Sequence, residues 1–198
     1  MRLLSLHVVV TGMMEGCGRM IFLHKWGTKN DLVKGSWDYL YRVIAQANKS
    51  LDKLNEILAK DPENTSVPKY ISEVRAFRAL YYYYLLDMFA RVPLVTSSTT
   101  AMADVEQSER SVVFTFVKTE LEESVADLSD AHSNLPGEYY GRITKPVAYF
   151  LLAKLALNAE IYTDDNWTDG SKPDGKTIKF TVDGAEKKCL GSYNCLWY

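Results

Sequence analysis

Apolar residues recur at three- and four-residue spacing over four stretches of the chain, and this spacing predicts four helices. The predicted helices cover residues 36–59, 69–89, 111–129 and 146–162. A short polar loop joins the first two, and a longer link joins the last two. We therefore expect an all-α fold in which antiparallel helix pairs stack side by side. No sequence repeat of fixed period is visible along the chain.

The ends of these helices carry their own signals. Ser36 is the predicted N-cap of the first helix, and Thr144 is the predicted cap of the fourth, with Pro146 in its first turn. Residues 112–117 also alternate as a strand would, but the helical pattern continues further, so a helix is favoured there. The fourth helix is apolar nearly all round, which predicts deep burial.

The second helix contains the most distinctive residues, since the stretch 73–96 reads EVRAFRALYYYYLLDMFARVPLVT. Its helix must end before Pro93, because the residue ahead of a proline is pushed out of helical geometry. The tyrosines at 81–84 occupy successive positions and therefore point around the helix. We expect them to pack in the core and between helices, with their hydroxyls reaching polar partners.

The character of the chain changes after residue 163. DDNWTDGSKPDG is rich in turn formers, TIKFTV alternates like a strand, and Asp183-Gly184 is a hairpin signal. We therefore divide the chain into a helical region, 1–163, and a turn-rich segment with a small β-like tail, 164–198.

Composition narrows the classes of function. The 198 residues are 47% hydrophobic with a formal net charge of -2, so nothing indicates a nucleic-acid partner or a disordered tail. The longest apolar run is far short of the roughly 20 residues that span a membrane. Cys189 could pair with Cys195, and the odd count then leaves Cys17 as a thiol. The first residues faintly resemble a secretion signal with a lipid-attachment site at Cys17, but a strand beginning at residue 3 is favoured.

No arrangement of residues typical of catalysis is present. The three histidines lie far apart, and the glutamates at 120, 122 and 123 are interpreted as the exposed face of one helix. Asp165 and Asp169 faintly resemble a calcium loop, but Trp167 and Lys176 stand where oxygen ligands are needed. We therefore predict a protein that is not an enzyme and that uses no metal or cofactor.

Three motifs, in order, resemble the SusD/RagB family of outer-membrane glycan-binding lipoproteins. The run from Glu73 to Tyr83 with the following Val92-Pro-Leu-Val95 resembles its signature helix and V-P-L-V segment. Trp37 to Asn48 resembles its W-x-x-L-Y-x-x-I-x-x-A-N helix, and Gly141 to Ala159 resembles its G-R-x-T-K helix. Residues 121–128 match a further family helix, so the resemblance covers about residues 26–162.

The resemblance implies a tetratricopeptide-like arrangement of the helix pairs. It also implies binding of an oligosaccharide or polysaccharide, docking on a SusC-like TonB-dependent transporter, and a place at the surface of the outer membrane through a lipid anchor. The chain departs from the family at Ala90 and Arg91, where members carry glycine and a small polar residue, so a strained helix exit is expected. The family's lipoprotein leader and larger second half are also missing, which predicts an amino-terminal fragment.

A glycan site needs an aromatic face beside amide, carboxylate or cationic groups. The loop LHKWGTKND at 23–31, which resembles a family segment that contributes glycan contacts, offers Trp26 with Lys29, Asn30 and Asp31. Trp26 could instead fill the core, and Trp167 is a second aromatic candidate with weaker support. The alternative function is a helical-repeat interaction module without its own ligand.

Overall fold

The computed structural model describes residues 20, 23–27, 29–171, 173–182 and 184–188. The strand predicted from residue 3 and the three cysteines lie outside the described residues. The chain divides into two compact units, Met1–Arg42 and Val43–Tyr198. The predicted boundary at residue 163 stays a prediction.

The first helix, α1, spans Asp31–Lys60 and begins a full turn earlier than predicted. The side-chain oxygen of Asn30 accepts hydrogen bonds from the amides of Leu32 and Val33 at 3.0 and 3.3 Å, which is the work of an N-cap. Ser36, the predicted cap, lies inside the helix, where its hydroxyl donates to the carbonyl of Leu32 at 2.8 Å. The prediction was wrong because the apolar line starts at Trp37, whereas Asn30-Asp31 supplies the stronger start signal.

The second helix, α2, spans Val67–Phe89 and leads into strand β1, Val92–Pro93. Ser66 occupies the N-cap position, and the side-chain oxygen of Asn64, two residues ahead, accepts from the amides of Ser66 and Val67, both at 3.1 Å. At the other end, Ala90 has φ 61° and ψ -80°, the geometry of a strained γ-turn. The strained exit expected where glycine is absent is confirmed. Strand β1 pairs antiparallel with β2, Gln107–Ser108.

The third helix, α3, spans Arg110–Ser124 and continues into a 3-10 turn, Val125–Asp127. The choice of helix over strand at 112–117 is confirmed, although the regular helix ends five residues before the predicted end. Helix α3 runs antiparallel to α2, since residues of increasing number on α2 contact residues of decreasing number on α3 and the turn that follows it. Ser72 donates to Asp127 at 2.9 Å, Arg75 and Arg78 bind Glu120, and the Tyr82 ring lies 5.2 Å from that of Phe116.

The fourth predicted helix is two helices, α4 at Lys145–Leu157 and α5 at Ala159–Tyr162, separated at Asn158. The prediction of deep burial all round was wrong. Helix α4 buries Leu151, Leu152 and Leu155, but Phe150 is 61% exposed. Thr144 occupies the N-cap position without bonding the helix through its side chain, and its buried hydroxyl has no hydrogen-bond partner.

The predicted hairpin is confirmed. Strands β3, Lys179–Val182, and β4, Ala185–Lys188, pair antiparallel, and Gly184 just ahead of β4 has φ 72°, while Asp183 lies outside the described residues. Phe180 is buried with its ring 6.2 Å from that of Phe114 on α3, and the amide of Thr181 donates to Glu122 at 2.6 Å. The predicted all-α class with a small β-like tail is confirmed by these elements. The core lies mainly between α2, α3 and α4.

Candidate functional site

The aromatic residue proposed for glycan contact, Trp26, lies in the segment just ahead of α1. Its side chain is 48% exposed, which disagrees with the alternative in which it fills the core. The imidazole of His24 lies 5.3 Å from the indole between ring centroids, tilted by 45°. His24 has φ 53°, a left-handed conformation that brings the chain around sharply between the two rings. A half-open indole face of this kind can stack on the apolar side of a sugar ring.

Of the three polar candidates that follow Trp26, Lys29 and Asp31 are exposed to solvent, and Asn30 and Asp31 form the start of α1. Lys29 is exposed, and Asp31 is exposed in the first turn of α1, where a carboxylate also suits the helix dipole. Asn30 is half-buried, and its oxygen is already engaged as the N-cap of α1. The four candidates lie within six residues of sequence, and as a glycan site they stay a prediction. The structure gives Asn30 a structural task, capping α1, that the sequence analysis did not assign to it.

The charged residues of the signature helix form a buried network with α3. Glu120 is 6% exposed, and each of its oxygens accepts from a different arginine: Arg75 at 2.7 and 2.9 Å, Arg78 at 2.6 and 3.2 Å. Arg75 also binds the exposed Glu123 at 2.5 Å. Burial alone would lower the pKa of Arg75, but its hydrogen bonds to Glu123 and Glu120 outweigh burial, so the pKa is raised and the residue stays charged.

The network continues through Arg78 into α1 and the strand exit. Arg78 donates to the side-chain oxygen of Asn48 at 2.8 Å and to the carbonyl of Thr96 at 3.0 Å. Asn48, itself 1% exposed, donates to the carbonyl of Val95 at 2.9 Å. The interpretation of the glutamates as an exposed face was therefore wrong for Glu120 and for Glu122, whose side chain is only 12% exposed, and it holds for Glu123. The sequence carried one signal for this pairing: Arg78 stands among the apolar residues of α2, and an arginine buried there needs a buried carboxylate as its partner.

The tyrosines of α2 divide between core and surface, so the expected packing in the core and between helices holds for Tyr82 and Tyr83 but not for Tyr84. Tyr82 is fully buried; its hydroxyl donates to the carbonyl of Val95 at 2.9 Å and accepts from the Val95 amide at 2.8 Å. Burial raises the pKa of Tyr82 to about 12, and the bond to Val95 opposes part of that rise. Tyr84 is 43% exposed. On α5, burial and a 2.6 Å bond to Asp87 raise the pKa of Tyr162.

The carboxylates of the turn-rich segment are engaged in local structure. Asp165 accepts from the amide and hydroxyl of Ser111 at 2.9 and 2.5 Å, which caps the start of α3. Asp169 accepts from Asn166 at 3.1 Å and from the amide of Ser171 at 2.8 Å. Among the described residues, no group of three or more His, Cys, Asp or Glu could hold a metal ion. No helix formed by those residues is long and apolar enough to cross a membrane.

Comparison with known proteins gives a consistent picture. The sequence profile of SusD-like proteins, described as starch-binding and associating with the outer membrane, matches residues 12–157. The starch-binding protein SusD of Bacteroides thetaiotaomicron is 30% identical over 118 residues, 60% of this chain and 20% of that protein.

Two solved structures extend the similarity to the fold. A SusD homologue from Bacteroides thetaiotaomicron superposes with a TM-score of 0.65 at 26% identity, covering 76% of this chain and 29% of that one. A laminarin-binding SusD-like protein superposes with a TM-score of 0.53 at 30% identity, covering 65% of this chain and 27% of that one. The chain thus spans less than a third of the length of each of these relatives.

Proposed function

Because the chain belongs to the SusD-like family, we propose that it serves glycan capture at the bacterial outer membrane, as part of a nutrient-uptake system. In this role the protein binds an oligosaccharide without cleaving it and docks on a SusC-like TonB-dependent transporter that takes the sugar in. The relatives include a starch binder and a laminarin binder, so we propose glucans as the first ligands to test.

The observation that carries the proposal is the half-exposed Trp26 beside His24 and Lys29. An indole face supplies large contact area at low conformational cost, and nearby N–H groups can hydrogen-bond the ring hydroxyls. The two rings lie 5.3 Å apart between centroids and are tilted by 45°, so His24 adds a second, inclined ring beside the indole. Asn30 and Asp31 start α1 a few residues further along the chain, which ties the segment to a regular helix.

The test is affinity electrophoresis of the full chain in native gels that contain soluble starch or laminarin. We expect the chain to be retarded and Trp26→Ala to lose most of that retardation. Trp167→Ala is the matched control, because Trp167 is an exposed tryptophan in a polar turn. Retardation lost with Trp167→Ala and kept with Trp26→Ala would move the site to the turn-rich segment. A chain that no glucan retards would refute glucan capture.

A second candidate function is that of a helical docking module with no ligand of its own. Its support is a set of exposed apolar side chains on α4 and α5, Phe150 at 61%, Leu157 at 49% and Ile161 at 52%. Co-purification with the transporter, together with no retardation on any glycan, would favour this function. Loss of co-purification in Phe150→Ser/Ile161→Ser would then assign the docking to these helices.

A further inference from the structure

A polar cavity of about 550 Å³ opens between the first turns of α2 and the link that leads to α4. Its volume falls within the range of about 300–1,000 Å³ that small-molecule sites occupy. Its lining comes from 66–73, 126–130 and 138–143, so it shares no residue with the Trp26 segment. A second cavity, of about 430 Å³, is lined by Lys49, Asp52, Lys53 and Glu56 with three hydroxyl residues and has no aromatic side chain.

The link that forms one wall of the larger cavity is closed by backbone hydrogen bonds. The amide of Lys145 donates to the carbonyl of Ser129 at 2.9 Å, and the amide of Gly141 donates to that of Ser133, also at 2.9 Å. Gly141 has φ 75°, a conformation that glycine adopts without strain. Since the ends of the link are tied together, the cavity exists before any ligand arrives, which reduces the ordering cost of binding.

The floor of the cavity is an ion pair that is only partly covered. Arg142 donates to both oxygens of Glu73, at 2.9 and 2.6 Å, and its guanidinium lies 4.9 Å from the ring centroid of Tyr139. The side chains of Arg142 and Glu73 remain 32% and 21% exposed. A guanidinium has five N–H groups, and a carboxylate has about four acceptor positions, so this pair keeps capacity for a ligand's hydroxyls.

The charge and the aromatic content of the lining select among ligand classes. Four carboxylates line the cavity against two cations: Glu73, Asp127, Asp130 and Glu138 against Lys69 and Arg142. This excess disfavours anionic ligands such as phosphates, while carboxylates accept hydrogen bonds from hydroxyl groups. Tyr70, 49% exposed, adds an aromatic wall beside Tyr139. The combination suits a neutral ring with many hydroxyls and one apolar side.

We propose that this cavity, between Tyr70, Glu73, Tyr139 and Arg142, is a second saccharide site, independent of Trp26. The proposal rests on the proposed function, since it assigns to the chain a second contact with the same class of ligand. A short oligosaccharide would fill each site separately, so the second site should appear as a second equivalent of bound ligand.

The test is calorimetric titration of the full chain with maltohexaose and with laminarihexaose. We expect two equivalents to bind the parent, and one to bind either Trp26→Ala or Tyr70→Ala/Tyr139→Ala, with at least tenfold weaker binding at the altered site. Tyr140→Ala is the matched control, because Tyr140 is 67% exposed on the same link and does not line the cavity. We expect it to bind like the parent.

Amide chemical shifts of the unaltered chain give a readout that no substitution can distort. Added hexasaccharide should shift the amides of 126–130 and 139–143. A parent that binds glucan while those amides stay still, and whose stoichiometry is unchanged in Tyr70→Ala/Tyr139→Ala, would overturn the second site and keep the proposed function. A parent that binds neither hexasaccharide would overturn both.

Discussion

Replacing Glu120 with glutamine tests whether the buried charge network holds α2 and α3 together. The substitution keeps the size of the side chain and removes its charge, so Arg75 and Arg78 lose the carboxylate that they share, and Arg75 alone keeps a second one, Glu123. Arg78 is 6% exposed and cannot turn to water for compensation. Breaking a buried ion pair by removing one partner costs about 3–5 kcal/mol, because the other charge stays buried and unpaired. Glu123→Gln is the matched control: it lies on the same helix, binds the same Arg75, and its side chain is 56% exposed. An exposed pair contributes about 0–1 kcal/mol.

Urea unfolding followed by circular dichroism separates the two variants. With a slope of about 2 kcal/mol per molar urea, we expect the Glu120→Gln midpoint to fall by about 1.5–2.5 M. The Glu123→Gln midpoint should fall by no more than about 0.5 M on the same slope. Domains of this kind have about 5–15 kcal/mol of stability in total, so the first variant should be visibly weakened at room temperature. Equal midpoints for the two variants, with unchanged slopes, would refute the role assigned to the buried network.

Three further substitutions test separate features of the fold. Ala90→Gly should raise the free energy of unfolding by about 1 kcal/mol, because glycine removes the backbone strain of a positive φ while adding some conformational entropy to the unfolded chain. A lower urea midpoint would contradict this. Phe180→Ala should cost about 3–5 kcal/mol if the hairpin packs as described, whereas an independent tail would leave the melting of α3 unchanged. The pKa of Tyr82 is raised from 10.0 to about 12 in the folded chain, so its contribution to the free energy of unfolding is complete below pH 10 and is lost as the pH rises through 12. Tyr82→Phe should therefore flatten the decline of stability between pH 10 and 12. An unchanged slope of stability against pH over that window would contradict this.

Local signals in the sequence were sufficient for most of the secondary structure. The four helical stretches follow from periodicity, the hairpin follows from alternation and Gly184, and the strained exit at Ala90 follows from the lack of glycine. These features depend on neighbours within a few residues. The start of α1 was predicted too late because the apolar spacing begins at Trp37, whereas the helix begins after Asn30, whose side chain caps it. Both signals were present in the sequence.

Features that depend on residues far apart in the chain could not be predicted from local sequence signals. In the sequence nothing separates Glu120 from Glu122 and Glu123, and only the folded arrangement places Arg75 and Arg78 opposite it. The exposure of Phe150 depends on which neighbouring element faces α4 at that position, and composition alone predicted burial. The cavity beside Arg142 draws its lining from three separate stretches of chain, so only the folded arrangement brings its aromatic and charged groups together.

The residues that carry the family resemblance turn out to bind one another, and this limits what the resemblance says about ligands. Glu73 binds Arg142 of the G-R-x-T-K segment, while Arg78 binds Asn48 of the first-helix motif. Each motif therefore supplies a partner for another, so their joint presence specifies how the helices pack. We therefore expect ligand choice to depend mainly on side chains outside these pairings, such as the exposed Trp26 and Tyr70, while Glu73 and Arg142 offer only the hydrogen-bonding capacity that their ion pair leaves over. A chain can keep the whole set of motifs and still change its sugar, which is why binding has to be measured against more than one glucan.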